Sequence, residues 1–191
     1  MYTKLINHIQ DYVQLQESDL RLIENSFEMM SLQNKAYLLR EGQTCRCLYF
    51  VAKGCLRMHF YTAAGVEQIT QFAIENWWIA DYAGFMRQTV SEHNIQAIEK
   101  SEILAINLHA YDALLEEVPA LERYFRIMAQ RALGASQYRL KQIYDMSKED
   151  IYLHFRDSFP EFVQRVPQYM LASFLGLSPE YLSTLRKKHV R

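Results

Sequence analysis

Between Ala36 and Asn107 the apolar residues fall into six short runs, AYLL, CLYFVA, CLRMHFY, EQITQFA, NIQAI and EILAIN, divided by EGQ, KG and TAAG turns. Runs this short, rich in aromatic and β-branched residues and bounded by turn signals, predict strands rather than helices. Gly42, Gly54 and Gly65 mark the turns, where freedom at positive φ matters most. That cadence suggests a small β-barrel or roll, and it leaves the flanks to be something else.

The flanks are helical in spacing. Leu5, Ile6, Ile9 and Val13, then Leu20, Ile23 and Phe27 after Ser18, predict two short helices ahead of the roll. After Asn107 the helical period returns through about Glu117, and again from Pro119 to roughly Tyr144. In the second of these helices Leu121, Phe125, Met128, Ala132 and Ala135 follow a four-three spacing that draws about two heptads of a coiled-coil seam. The seam fades at Arg139 and Gln142. A helix packed only on its own barrel shows a similar stripe, but this one is long and stands between two modules, which favours a dimer helix. Asp145 to Ser147 reads as the junction, with Ser147 as a helix cap and Asp150 approximating a capping box. A short helix through about Arg156 follows, and Pro160 and Pro167 suit the starts of two more.

The stretch Gln168–Lys187, QYMLASFLGLSPEYLSTLRK, reads as a helix-turn-helix. Ala172 is small enough for a second helix to cross closely, Gly176 accommodates the turn, and Leu182 buries the second helix against the first. Ser178 suits the N-cap, Pro179 the first helical position, and Glu180 the favoured end of the dipole. An ordinary helical hairpin has the same spacing and is the bland alternative.

Composition bounds the function classes. With 191 residues and 50% hydrophobic content the chain can bury one large core or two modest ones. No segment approaches the roughly twenty uninterrupted apolar residues of a membrane span, and MYTKLINHIQDYV lacks the zones of a signal peptide, so no membrane partner and a cytoplasmic location are expected. Cys45, Cys47 and Cys55 have neither metal-ligand spacing nor a histidine close by in sequence, which favours structural or free thiols over a disulfide framework. Net charge is −1, yet Arg186, Lys187, Lys188 and Arg191 crowd the C-terminus around His189. Such a cluster can neutralise phosphates locally, or simply solubilise a helix end.

A roll, a long helix and a C-terminal helix-turn-helix, in that order, resemble the Crp/Fnr family of bacterial transcription regulators over nearly the whole chain. LLREGQTCRCLYFVAKGCLRMHF looks like that family's strand–glycine–strand core, PALERYFRIMAQRAL like its dimer helix, and VPQYMLASFLGLSPEYLSTLRKK like its DNA-binding helices. The short C-terminal module, with no obvious wing, looks like the variants common in Bacteroidetes. The resemblance implies an α+β fold: a cyclic-nucleotide-binding-like β-roll flanked by helices over 1–118, a dimerisation helix and hinge over 119–146, and a small all-α helix-turn-helix domain over 147–191.

It also implies a homodimer on double-stranded DNA with a near-palindromic operator, with RNA polymerase as a further partner. Each protomer would place a recognition helix, about Pro179 to Val190, in the major groove. Base readout falls to Glu180, Ser183 and Thr184, and backbone contacts to Tyr181, Arg186, Lys187 and Lys188, with Tyr169 as a further backbone candidate. The family more often carries arginine at the positions of Pro179 and Thr184, so the operator is not expected to be the family's usual one.

The match fails where relatives hold a cyclic phosphate. Aligned without gaps, WIADYAGFMRQTVSEHNIQA puts Ala80 and Asp81 at the family's glycine–glutamate pair and Ser91 and Glu92 at its arginine–serine pair. The guanidinium is missing and Glu92 adds repulsion of the same sign, which argues against cyclic AMP as a cofactor. Trp78, Asp81, Tyr82, Arg87, Glu92 and His93 remain as the lining of a remodelled pocket for another small-molecule effector, against the plainer reading that the rings fill the barrel. Two rival functions stand beside this one. One is a sensor or interaction module whose C-terminal helices bind a protein partner. The other is a small-barrel metalloenzyme, which the separated His59, His93 and His109 support poorly.

Overall fold

All six runs form strands, and two further strands join them. β1 (Glu28–Leu32), β8 (Ser101–Asn107), β3 (Cys47–Lys53) and β6 (Trp78–Ile79) make one sheet in that order. β2 (Tyr37–Leu39), β7 (Asn94–Ala97), β4 (Leu56–Tyr61) and β5 (Glu67–Ala73) make the other. β3 runs antiparallel to both β6 and β8, and β7 antiparallel to both β2 and β4. Leu48 to Ala52 are all buried, as expected of a central strand covered on both faces rather than one. The computed structural model describes Met1–His189, so Val190 and Arg191 lie outside the described residues.

Two compact units emerge. The first takes in Met1–Phe60 and Gln71–Ala129; the second takes in Tyr61–Thr70 and the chain from Gln130 onward. In the first, α1 (Tyr2–Gln10) packs on β3, and α2 (Glu17–Ser26) packs on α4 (Leu108–Glu117), which lies on β8. Gln16 caps α2, in a reciprocal capping box with Asp19. Three elements went unforeseen for lack of a pattern. β1 buries only Leu32 completely, β6 is two residues long, and α3 (Tyr82–Arg87) is a six-residue helix held by its cap Asp81.

The fully buried Tyr124 ties this unit together from α5 (Ala120–Asp145). Its hydroxyl accepts from Trp78 Nε1 at 2.8 Å and pairs with His8 Nδ1 at 2.8 Å, so one oxygen joins β6, α1 and α5. The rings of Tyr12 and Phe125 pack against that of Tyr124, and those of Phe50 and Phe125 pack against Trp78. Burial raises the phenol's pKa, against the hydrogen bond from Trp78, so the hydroxyl stays protonated.

The same cluster corrects the dimer seam. Leu121 and Phe125 are buried in the first unit's own core and Met128 packs against it, so the upper half of the expected stripe is already used within one chain. Lower down, Leu133, Leu140, Ile143 and Tyr144 are each more than half exposed. These exposed positions begin inside the lower part of the expected stripe, whose Ala132 and Ala135 are exposed as well, and continue beyond its end.

In the second unit α6 (Lys148–Ser158), α7 (Pro160–Arg165), α8 (Gln168–Leu175) and α9 (Pro179–His189) enclose a core of Tyr152, Val163, Leu171, Ala172, Leu175, Leu177, Leu182 and Leu185. Ser147 caps α6 by accepting from Asp150 N–H at 3.1 Å. From α5, the Arg139 guanidinium lies 3.6 Å over the Phe174 ring and donates to the Phe174 carbonyl, one of the acceptors that α8 leaves unused at its end. Desolvation lowers that guanidinium to about 10. No helix is long and apolar enough to cross a membrane among the described residues.

Gly54, in the β3–β4 turn, has φ +101°, and a Cβ there would sit 2.2 Å from Ser101 Oγ and 2.7 Å from Ser101 Cα. Gly54→Ala should therefore cost about 1–3 kcal/mol for the left-handed backbone alone, with the overlap added. The check is a lowered urea midpoint at unchanged slope; an unshifted midpoint would show that the turn relaxes freely.

Candidate nucleic-acid interface

The C-terminal pair of helices is built as its residues dictate. α8 stops at Gly176, which adopts the left-handed conformation at φ 71° and ψ 31° that glycine tolerates best. Ser178 Oγ then accepts the Tyr181 N–H at 3.1 Å, and Pro179 occupies the first position of α9, where it forfeits no donor. Ala172 and Leu182 are fully buried in the same small core. With Leu182 and Leu185 turned inward, the helical repeat turns Glu180, Ser183, Thr184 and Lys187 outward, and all four are exposed.

That outward face adjoins a groove of about 510 Å³ lined by Gln168, Pro179, Ser183, Arg186 and Lys187. Sequence reasoning missed Gln168. Its side-chain oxygen is buried and has no hydrogen-bond partner. Tyr169 and Tyr181 are exposed rather than packed. Thr184 donates its hydroxyl to the Glu180 carbonyl at 3.0 Å, which leaves its lone pairs and methyl facing outward.

The basic cluster is less free than it reads. Lys188 Nζ lies 2.8 and 3.2 Å from the two Glu149 carboxylate oxygens, and His189 Nε2 lies 2.6 Å from one of them. These bonds hold the Glu149 carboxyl below its usual range and raise Lys188. Arg186 and Lys187 line the groove; Lys188 already has a partner.

The residues expected to line an effector pocket divide. Asp81 Oδ1 accepts from Gly84 N–H at 3.1 Å and its Oδ2 from Ser91 Oγ at 2.7 Å, while His93 Nδ1 is 3.9 Å from Oδ2 and its N–H donates to Ser91 Oγ at 3.0 Å. Asp81 and Ser91, one from each of the two pairs compared above with the family's phosphate cassette, thus bond each other. Trp78 belongs to the ring cluster around Tyr124, whereas Tyr82, Arg87 and Glu92 are exposed.

Buried polar groups lie on β4 and β7, where Arg57 donates from Nε and Nη2 to Gln96 Oε1 at 3.1 and 2.7 Å, with His59 and Asn94 also buried; of these, sequence reasoning singled out His59 alone. Polar residues alternating with apolar ones in CLRMHFY look like a solvent face, and nothing in the pattern signals burial. Among the described residues no three of His, Cys, Asp and Glu gather as metal ligands. Burial pushes the Cys45 thiol up to about 11, which keeps it protonated and unreactive.

Residues 29–118, the roll, match the cyclic nucleotide-binding domain family. The chain is also similar to the fumarate and nitrate reduction regulatory protein of Vibrio cholerae serotype O1, 25% identical over 185 residues that cover 90% of this chain and 72% of the relative. Two solved structures share its fold. FixK2 from Bradyrhizobium japonicum has a TM-score of 0.71 at 14% identity over 85% of this chain and 83% of that one. The c-di-GMP responsive regulator CLP of Xanthomonas campestris has a TM-score of 0.72 at 16% identity over 91% of each.

A roll of that family carried on one chain with a C-terminal helix-turn-helix defines a regulator of transcription. Over residues 29–118 the chain carries the cyclic nucleotide-binding domain, and over 90% of its length it is similar to a transcriptional regulator of the Crp/Fnr type.

Because the orientation of α9 depends on its first turn, Ser178→Ala should destabilise the C-terminal module by about 1 kcal/mol. Thermal melting of the far-ultraviolet helical signal measures this. A melt unchanged from the parent would mean that Ser178 does not cap α9.

Proposed function

We propose that the chain acts as a homodimer that presents two copies of α9 to successive major-groove segments of a near-palindromic operator. The observation that carries the reading is the exposed face of Glu180, Ser183, Thr184 and Lys187 beside the groove lined by Arg186. Glu180 can accept from cytosine N4, and Thr184, its own proton committed to the Glu180 carbonyl, offers lone pairs to a donor or its methyl to thymine. Ser183 completes the base-reading set. Tyr181, Arg186 and Lys187 suit phosphates, which fix register and affinity rather than sequence.

Pairing of two chains falls to the lower part of α5. Leu133, Leu140 and Ile143 recur at spacings of seven and three, as a coiled-coil seam requires, and all are exposed. In this reading 1–118 is an effector-type domain, 119–146 pairs the protomers and 147–191 reads DNA. The chain works in the cytoplasm, catalyses no reaction and meets RNA polymerase at the promoter.

Cyclic AMP is not its signal. Ser91 stands where a cyclic phosphate needs a guanidinium, its hydroxyl already donated to Asp81, and Glu92 beside it adds a carboxylate. A different small molecule beside Asp81 and His93 is compatible with the same geometry.

Purified protein should enrich a shared, near-palindromic sequence from genomic DNA, and Thr184→Ala should relax one position of each half-site by about 1–3 kcal/mol. Failure to enrich any sequence would favour a protein partner for the C-terminal helices. Leu140→Asp should convert the dimer to monomer in sedimentation; an unaffected dimer would move the seam elsewhere.

A further inference from the structure

We infer that Glu149 masks Lys188 and His189, and so limits how much of this regulator's DNA affinity is independent of sequence. The inference rests on the DNA-binding reading of α9 given above. In the sequence, Arg186, Lys187, Lys188 and His189 form one basic run. In the structure they serve two different ends. Arg186 and Lys187 line the groove beside Ser183, whereas Lys188 and His189 converge on one carboxylate from α6.

The pairing suits every charge in it. Glu149 sits in the first turn of α6, where an anion meets the positive end of the helix dipole, and Lys188 and His189 sit in the last turn of α9, where cations meet the negative end. Both Glu149 oxygens are used, and its side chain is 28% exposed against 61% for Lys188. The lysine is thus reachable by DNA but not electrically free.

Counterion release explains why this matters even if the pair itself is weak, as exposed ion pairs are. A free lysine that meets a phosphate releases a condensed cation from DNA, steepening the salt dependence by about 0.9 per phosphate neutralised. A lysine held on Glu149 neutralises no phosphate and so releases no cation. Sequence-independent affinity, which is built from such contacts, falls, while the base contacts of Glu180, Ser183 and Thr184 are untouched. Glu149 is a specificity-determining residue that touches no base and acts through its two partners.

The test is the salt dependence of binding by the full chain to two duplexes of equal length, an enriched genomic fragment and a scrambled control. Lys187→Ala should flatten the slope by about one, while Lys188→Ala alone should leave it nearly unchanged. Glu149→Gln should steepen it by about one and tighten the scrambled duplex more than the enriched one. Adding Lys188→Ala to Glu149→Gln should reverse that gain, which a purely structural role for Glu149 would not produce. Lys188→Ala does not alter α6, so it decides the matter even if Glu149→Gln unfolds. A flattening by Lys188→Ala equal to that of Lys187→Ala, or a Glu149→Gln slope equal to the parent's, overturns the masking while DNA binding stands. No binding of either duplex by the parent or any variant overturns the DNA reading, and the masking with it.

Discussion

The close crossing of α8 and α9 is the constraint on which the reader depends. It needs a residue without bulk at Ala172, a left-handed turn at Gly176 and a leucine at position 182, and the small core of the second unit encloses Ala172 and Leu182. Burying Leu182 and Leu185 leaves the angular position of every other residue on α9 without freedom. Glu180, Ser183, Thr184 and Lys187 point outward because two leucines point inward. A core of this size has no reserve, since small modules bury a smaller share of their surface, and the caps at Ser147 and Ser178 stabilise the ends that packing does not reach.

In both units the chain satisfies charge internally where a sequence reading would leave it free. Asp81 takes the Ser91 hydroxyl and an α3 N–H. Arg57 is buried against Gln96 on neighbouring strands. Glu149 takes Lys188 and His189 at the end of α9. A net charge of −1 therefore understates how charge is distributed: within the basic run of α9, Arg186 and Lys187 line the groove beside Ser183 while Lys188 and His189 pair with Glu149. Electrostatics here selects which contacts count, and packing decides where they point.

Much of this was legible because local rules and tertiary packing agree. Six strands, the two N-terminal helices, the long helix and the Ser178–Pro179 start all follow from period, turn residues and caps. The rest fails for identifiable reasons. β1 and β6 lack an alternating pattern, and α3 is too short to show a helical one. Leu121 and Phe125 have the spacing of a seam, yet spacing cannot say whether the partner is a second chain or the chain's own roll. Arg57 and His59 alternate like surface residues and are buried. Within the reader, the outward face was readable from Pro179 onward, but the partner of Lys188 is thirty-nine residues away and no local pattern announces it.

A regulator of this build joins one roll to one reader per chain, so operator symmetry and protein symmetry stand or fall together. The most direct measurement is a hydroxyl-radical footprint of the purified full-length protein on a fragment it enriches. Two protected segments centred about 34 Å apart, one helical turn, are expected from a two-fold pair of α9 helices. A single protected segment, or protection with no fixed spacing, would contradict the paired reader.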